Sequence, residues 1–577
     1  MLLNKYLWHI HMDNNTKSLS MFNDNCQNVL KRVGLRIVSI RISLRNVING
    51  WSIISSSLHH HQTTLLRHLH LIDIEPAEFN KLINNRFVKQ LHTLVIELTE
   101  YSVFHSQREE GAYLAKVCSQ LPDLRICRLP FDFCRFGRKN LSNARASLLL
   151  NLPNISSTIY LHTLTVGINT FRFLERLVIC IPNIQNLSFG IQHEDIYEDE
   201  NLDLTQMPSP IDARQLRYLF RLSMNCEDKI SFHKAVALLS SVFGQLTHLS
   251  LKLLATTSIS DRLIITGDTI QNLCINRLKS STFYRFDLLV HVKNDLEEKK
   301  ILNSFLNAPF VNQSEQRSKK IIQEIDDWSV CENSYCFTLS TLPYNEIKIP
   351  SYLFPTKPNK TYEISMKAID LFPHANELVL RACKQKNCFS EFGNCQSFIS
   401  SLIPWTLIRK ISIEENVNIT AIELESILQM ASHVHTLSIA DFRGYLSRAI
   451  LHNHNDLGTR VNKQIDSFDT DDCSLRLHNA KDFCKLISYR LPNLRELSFS
   501  IYEVFRGEDK STKKIIDLIH FLVDHLQQLV FLSIIISSET NSKTRCFPHK
   551  IRRQLYEQPL NRSYRLKCSS QLIQIWL

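Results

Sequence analysis

The sequence predicts an α/β fold: an irregular leucine-rich-repeat solenoid with a curved parallel sheet on its concave side and helices on its convex side. Three observations predict it. An apolar L-x-x-L-x-L frame occurs twice in 161–191, LHTLTVGINTFRFLERLVICIPNIQNLSFGI, at a separation of 23 residues. The apolar residues between the two copies have helical spacing, and the frame recurs along the chain. Because one strand–helix unit cannot bury its own apolar face, each unit needs neighbours on both sides.

The repeat unit in 161–191 has a strand part and a helix part. Leu164 and Val166 alternate with polar residues, so they point to the same side of a short strand. From about residue 170 to 181 the apolar residues recur at spacings of three and four, which is typical of one face of a helix. Pro182 is expected to end that helix, since the residue before a proline is disfavoured in helical conformation.

Further copies of the frame occur before and after this unit. Up to IQNLCI, successive copies are separated by 23 to 37 residues, so several units are expected to carry enlarged helices or loops. The copies are GLRIVSIRI (34–42, with Leu35, Val38 and Ile40 in the frame), LRHLHL (66–71), LHTLVI (91–96), LRICRL (124–129), LFRLSM (219–224), LTHLSL (246–251), IQNLCI (270–275), ANELVL (375–380), IRKISI (408–413), VHTLSI (434–439), LRELSF (494–499) and LVFLSI (529–534).

The places where the frame starts, lapses and resumes predict the domain organisation. Residues 1–25 have no clear pattern and are expected to be a disordered N-terminus. A first repeat array is predicted for 26–277, an irregular insertion or junction for 278–373, and a second array for 374–545 with a polar loop at about 443–474. Residues 546–577 are expected to form a C-terminal cap that adds a terminal strand at IQIWL, because a solenoid must cover its last core layer.

Composition limits the class of protein. Hydrophobic residues are 44% of the chain, enough for a large core. The net charge of +11 is spread along the sequence, whereas a nucleic-acid footprint needs a clustered basic face, so nucleic acid is a disfavoured partner. Most of the cysteines lie in apolar frames and are expected to be buried free thiols. No apolar run is long enough for a membrane span. We therefore expect no membrane partner and a reduced, cytoplasmic or nuclear location.

The sequence contains no catalytic or cofactor motif, and we expect neither an enzyme nor a metal or cofactor site. Glycine-rich phosphate loops and the G-x-S-x-G and H-E-x-x-H motifs are absent. Cys383, Cys388 and Cys395 are spaced unlike the ligands of zinc sites. The acidic run HEDIYEDENLD at 193–203 lacks the residue order and turn glycine of a calcium loop.

One column of the frame is a candidate partner-binding surface. The residue between the last two apolar positions points away from the core, onto the concave face of the sheet, and is a small hydroxyl residue in most units. Crowding of neighbouring strands explains such a column, and a smooth polar groove for a protein partner is the functional interpretation. The candidate partner-binding residues are Thr165, Ser188, Ser223, Ser250, Ser412, Ser438, Ser498 and Ser533, and Ser39 occupies the same place in its frame.

The chain resembles a large invertebrate family of F-box proteins that carry degenerate leucine-rich repeats. The segments that carry the resemblance are 161–191, LTHLSLKLLATTSISDRLIITGDTIQNLCINRL, YCFTLSTLPYNE and the ending CSSQLIQIWL. The resemblance implies a substrate receptor of a cullin-type ubiquitin ligase, in which the F-box docks an adaptor and the repeats hold the protein to be ubiquitinated.

The sequence departs from that family at its start. An F-box begins with Leu-Pro, and residues 1–34 contain no Leu-Pro, while the repeat frame already starts at Leu35. The cullin adaptor is therefore expected as a partner only if an F-box is supplied. We predict a protein-binding repeat scaffold that resembles the substrate-recognition part of such a receptor. A free-standing interaction or structural scaffold without a ligase link is the alternative, and a nucleic-acid-binding protein is the less favoured one.

Overall fold

The computed structural model describes 8–12, 18–44, 47–59, 65–98, 111–130, 159–192, 207–292, 294–310, 320–325, 335–354, 367–381, 389–394, 397–414, 417, 419–440, 444–452, 464–471, 475–502, 508–537, 548–569 and 571–577. The chain forms two compact units. The first consists mainly of Asn23–Glu324, and the second mainly of Leu342–Leu577 together with Thr16–Phe22. The division at about 325–341 falls inside the stretch in which the repeat frame lapses.

The first unit is organised around a twelve-stranded sheet, here sheet A. Its first ten strands are parallel and follow chain order. They are β1 (Trp8–Met12), β2 (Ile37–Ser43), β3 (His68–Ile72), β4 (Thr93–Glu97), β5 (Ile126–Leu129), β6 (Thr163–Thr170), β7 (Asn186–Gln192), β8 (Arg221–Cys226), β9 (His248–Thr257) and β10 (Phe283–Val292). Two further strands complete it: β11 (Lys320–Ile325) is at the edge and β12 (Tyr335–Thr341) pairs antiparallel with β10.

Helices connect these strands. They are α1 (Leu19–Asn25), α2 (Lys31–Val33), α3 (Gly50–Leu58), α4 (Pro76–Ile83), α5 (Ala112–Gln120), α6 (Phe171–Cys180), α7 (Lys229–Leu239), α8 (Gly267–Leu273) and α9 (Asp295–Asn307). A π-helical turn covers Cys26–Leu30, and 3₁₀ turns cover Gly34–Arg36, Arg86–Val88, Ala213–Leu216, Ser240–Gln245 and Ile275–Arg277. Parallel neighbours need such crossover connections, because a short turn cannot return the chain to the start of the next strand.

The helix of the 161–191 unit forms as the sequence predicts. The Thr170 hydroxyl accepts a hydrogen bond from the Phe173 amide and caps the helix start. Phe173, Leu174 and Leu177 are buried against the core side of the sheet. Helix α6 ends at Cys180, just before Pro182. The capped start, the buried face and the end before a proline therefore confine this helix to ten residues.

Just before six successive strands of each sheet, one backbone carbonyl accepts hydrogen bonds from two amides at the start of the next strand. The Arg67 carbonyl accepts from the His92 amide at 2.8 Å and from the Thr93 amide at 3.0 Å. The carbonyls of His92, Arg125, His162, Gln185 and Phe220 repeat this arrangement in sheet A, and those of Ile347, Asn376, Arg409, His435, Asp466 and Arg495 repeat it in the second unit. The shared carbonyl aligns the starts of successive strands, so it sets the register of the side chains.

The second unit is organised around a nine-stranded sheet, here sheet B. Its parallel strands are β13 (Lys348–Pro350), β14 (Glu377–Leu380), β15 (Lys410–Ile413), β16 (Thr436–Ala440), β17 (Ser467–Asp471), β18 (Glu496–Tyr502) and β19 (Phe531–Ser537). Its helices are α10 (Ala368–Leu371), α11 (Phe398–Leu402), α12 (Ala421–Met430), α13 (Tyr445–His452), α14 (Leu477–Arg490), α15 (Glu508–His525) and α16 (Pro548–Glu557), with a 3₁₀ turn at Ser351–Leu353.

The predicted C-terminal strand at IQIWL is confirmed. Strand β21 (Leu572–Trp576) pairs antiparallel with β19, and β20 (Arg565–Cys568) pairs antiparallel with β21. Phe22 packs edge-on against Trp576 with ring centroids 5.5 Å apart. Because both rings are buried, the last strand and an N-terminal segment of the chain cover the core at the β19 side of sheet B.

The expectation of disorder over 1–25 is wrong for the described part of that stretch. Trp8–Met12 forms β1 and pairs in parallel with β2, and Leu19–Asn25 forms α1. WHIHM alternates apolar residues with two exposed histidines, His9 and His11, which is the pattern of a strand with one open side. The frame assigned to Leu35, Val38 and Ile40 is also two residues out of register, because Leu35 is 50% exposed and Ile37, Ile40 and Ile42 are buried.

The predicted strand at IQNLCI is wrong. Those residues lie in α8 and the 3₁₀ turn after it, since the Thr266 hydroxyl caps the Thr269 amide and starts a helix there. The next parallel strand is β10, whose ten residues pair with β9. The boundary at residue 277 is therefore too early, and part of the predicted 278–373 insertion continues sheet A.

The predicted loop at 443–474 contains regular structure in its described part. Helix α13 and strand β17 both lie within it, and β17 pairs in parallel with β16 and β18. Its sequence, SFDTD, lacks an apolar residue at the last inward position. The buried Thr470 takes that place, and its hydroxyl lies 3.0 Å from the buried Ser447 hydroxyl of α13. This hydrogen bond allows a polar side chain in the core.

We expect Leu187→Ala to lower the free energy of unfolding by about 2 to 5 kcal/mol, because it leaves a cavity between Leu164 and Leu222 in the core row. Ser188→Ala, one residue away on the open face, should cost less than about 0.5 kcal/mol. Urea unfolding followed by circular dichroism measures both. Equal costs would contradict the alternation of sides along β7.

We expect Thr420→Ala to cost about 1 kcal/mol of stability. The Thr420 hydroxyl accepts from the Glu423 amide, and the Glu423 carboxylate accepts from the Thr420 amide at 2.8 Å, which confirms the capping box that the sequence predicts at the start of α12. Thr420→Ser is the matched control, since it keeps the hydroxyl, and its unfolding midpoint should stay close to that of the unchanged chain.

Candidate partner-binding face

The strands of sheet A present one row of side chains to solvent along their middle positions. Alternation along each strand buries the leucine-type residues and leaves the intervening residue on the open face. The strand register places one such residue from each strand side by side. From β1 to β10 this central row consists of His11, Arg41, His70, Val95, Arg128, Thr165, Ser188, Ser223, Ser250 and Arg285.

The hydroxyl column of the sequence occupies four neighbouring places in this row. Thr165 is in register with Ser188, Ser188 with Ser223, and Ser223 with Ser250. All four side chains are half-buried. Ser39 is not a member of the row, because it is in register with His68 on the neighbouring row of the same face. The residue of β2 in the central row is Arg41.

The other half of the row is basic, and the sequence column did not reveal it. Arg41 and Arg128 are exposed, and His70 lies between them and is half-buried. The frame shows a repeated residue type, whereas these positions share a charge and not a residue. A count of basic residues at the middle position of each strand, in the correct register, would have found them.

The charges on this face act on one another through His70. Burial lowers the pKa of the His70 imidazole below its usual value, the carboxylate of Glu97 opposes this, and the guanidinium groups of Arg41 and Arg128 lower the pKa further. The imidazole Nε2 lies 3.0 Å from Glu97 Oε1. At pH 7 the imidazole is therefore mostly neutral, and the permanent positive charge of the row over β2 to β5 comes from Arg41 and Arg128.

A second basic row follows the shared carbonyls at the start of the strands. Arg67, His92 and Arg125 are consecutive members of this second row. Burial lowers the pKa of the His92 imidazole, and the positive charges of Arg125 and Arg67 lower it further. The Arg67 guanidinium donates to the Gln90 carbonyl and side chain at 2.8 Å. Arg125 is exposed. These basic residues therefore lie along the edge of the sheet at which β3 to β5 begin.

Sheet B has a different face. Its central row consists of Pro350, Val379, Ser412, Ser438, Asp469, Ser498, Ser533 and Gln574. The Ser412 hydroxyl donates to Glu377 at 2.6 Å, and the Ser438 hydroxyl donates to Asp469 at 3.3 Å. Ser533 is buried beside Gln574, so it is the candidate residue least able to touch a partner.

Two carboxylates of sheet B, Glu377 and Glu496, are held by contacts within the protein. Glu377 lies between two lysines, with its oxygens 3.3 Å from Lys348 Nζ and 3.6 Å from Lys410 Nζ. Ser467 donates to Glu496 at 3.0 Å. Charge on this face is therefore held in contacts within the protein, in contrast to the exposed arginines of sheet A.

The described cysteines have the properties of core residues. They are free thiols, and burial raises the pKa of Cys274 to about 12 and that of Cys226 well above its usual value. A nucleophilic cysteine requires the opposite shift. Among the described residues, no three His, Cys, Asp or Glu side chains are placed to hold a metal ion. Cys383, Cys388, Cys395 and the acidic run 193–203 lie outside those residues.

The comparisons with known proteins give no family. A scan against protein-family models finds no match to this chain, and a search of curated proteins finds no match either. In the part of the chain that the structure describes, no helix has the length and apolar character to cross a membrane.

We expect two substitutions to move the pKa of His70 in opposite directions. Arg41→Gln removes a positive neighbour and should raise it, whereas Glu97→Gln removes the carboxylate that favours the imidazolium and should lower it. NMR titration of the imidazole C–H resonance in protein labelled at histidine measures both. Arg32→Gln, on helix α2, is the control and should leave it unchanged. A shift of the same sign in the first two variants would contradict the geometry of the row.

Proposed function

We propose that the chain is a leucine-rich-repeat scaffold that binds protein through the open faces of its sheets. The observation that carries this proposal is the row of aligned side chains on sheet A, to which each strand from β1 to β10 contributes one residue. Repeat proteins with one uncovered sheet face use it as an extended binding surface. Small hydroxyl side chains on four neighbouring strands support a close approach by a partner chain.

The form of scaffold that we favour is the substrate-recognition part of an F-box-type ubiquitin-ligase receptor. The resemblance of the sequence to that family supports it. The free-standing scaffold without a ligase link is the alternative. The sequence just upstream in the transcript separates the two: an F-box encoded there supports the receptor, and a transcript without one supports the free-standing scaffold.

We expect Ser188→Arg to reduce capture of the partner. The arginine projects from the middle of the hydroxyl part of the row, where it would separate the partner from the sheet. Affinity capture from cell lysate, quantified by mass spectrometry, compares the variant with the unchanged chain. We expect at least about a fivefold loss, the equivalent of about 1 kcal/mol of binding.

Ser119→Arg is the matched control for this experiment, since it makes the same substitution on the exposed side of helix α5 in the same unit. It should leave capture unchanged. Equal capture of the partner by both variants and the unchanged chain would contradict the assignment of the open face as the binding surface.

A further inference from the structure

We propose that the part of the open face of sheet A from β2 to β5 docks an acidic segment of a polypeptide. The docking surface, here the basic band, consists of Arg41, His70 and Arg128 in the central row. This inference rests on the proposed protein-binding function and names the chemistry of the partner at that face.

The spacing of the arginines suits an extended chain. Arg41 and Arg128 occupy the same row on strands that are three places apart in the sheet. Neighbouring strands are about 4.8 Å apart, which puts the two backbone positions about 14 Å apart. An extended segment advances about 3.4 Å per residue, so carboxylates about four residues apart reach both guanidinium groups.

The two arginines of the basic band have no carboxylate partner in the part of the protein that the structure describes. Among the described residues, Arg41 and Arg128 form no ion pair, and both are exposed. The carboxylate of Glu97 is directed to His70 at 3.0 Å. Exposed charges of one sign attract a partner of the opposite sign and determine its orientation more than they add to its affinity.

The neighbours of these arginines favour a polypeptide over a nucleic acid. The open-face residues beside them include the half-buried Thr93, Val95 and Ile126, which are aliphatic or hydroxyl side chains. On β2 to β5 the described open-face residues include no Phe, Tyr or Trp, the platforms on which single-stranded bases stack. Backbone recognition of a duplex relies on about six to ten phosphate contacts, more than the band offers in arginines.

Binding of fluorescein-labelled deca-glutamate, followed by fluorescence anisotropy with the full chain, tests this inference. We expect Arg41→Glu/Arg128→Glu to weaken binding about tenfold and Arg41→Gln/Arg128→Gln to weaken it by a smaller factor. Arg32→Glu/Lys300→Glu is the control, because it makes the same change of net charge at exposed positions of α2 and α9 and should change binding less than about twofold. Circular dichroism confirms that each variant is folded.

Three results would overturn the inference that an acidic segment docks here. The unchanged chain could fail to bind the peptide, or the face and control variants could weaken peptide binding equally. The third is that a single-stranded thymidine oligonucleotide of about twenty nucleotides binds more tightly than the peptide and loses its binding in the same face variant. The last result would assign the band to nucleic acid. Capture of proteins that is sensitive to Ser188→Arg, without peptide binding, overturns this inference alone. Absence of any captured protein overturns the proposed function itself.

Discussion

Burial of each strand's aliphatic side chains by the strands on either side is the interaction on which the rest of this structure depends. In sheet A, Leu164, Leu187 and Leu222 are consecutive in one core row and almost fully buried. A single strand–helix unit would leave half of such a row in water, so the units are stable only as a stack. The helices then cover the core side, and the other side of the sheet stays open.

The shared carbonyls at the strand starts convert this stacking into a fixed register. Each one receives two amides from the next strand, which leaves little freedom for the strand to slide. A slip by one residue would bring every core side chain of a strand to the open face. Fixed register is therefore also what assembles the basic band, since Arg41 and Arg128 are far apart in sequence and meet on one face only through it.

Two of the predictions that failed share a physical cause. The residues of IQNLCI fit the strand frame and a helix equally, because spacings of three occur in both, and the Thr266 cap decides for the helix. Strand β17 has a polar sequence and forms because Ser447 supplies a hydrogen-bond partner for the buried Thr470. In both cases local pattern is ambiguous and a contact outside the pattern determines the structure.

The sequence by itself determined the alternation of strands and helices, most strand positions and the row of hydroxyl residues. It also determined the capping box at Thr420 and the helix end before Pro182. All of these depend on the spacing between residues that are close together in the chain. Only the tertiary structure decided the division into two units, the place of Ile37, Ile40 and Ile42 in the core, the loss of Ser39 from the row and the gathering of Arg41, His70 and Arg128. Register between strands is set by backbone hydrogen bonds to the neighbouring strand, and the pattern of side chains along the sequence does not specify those bonds.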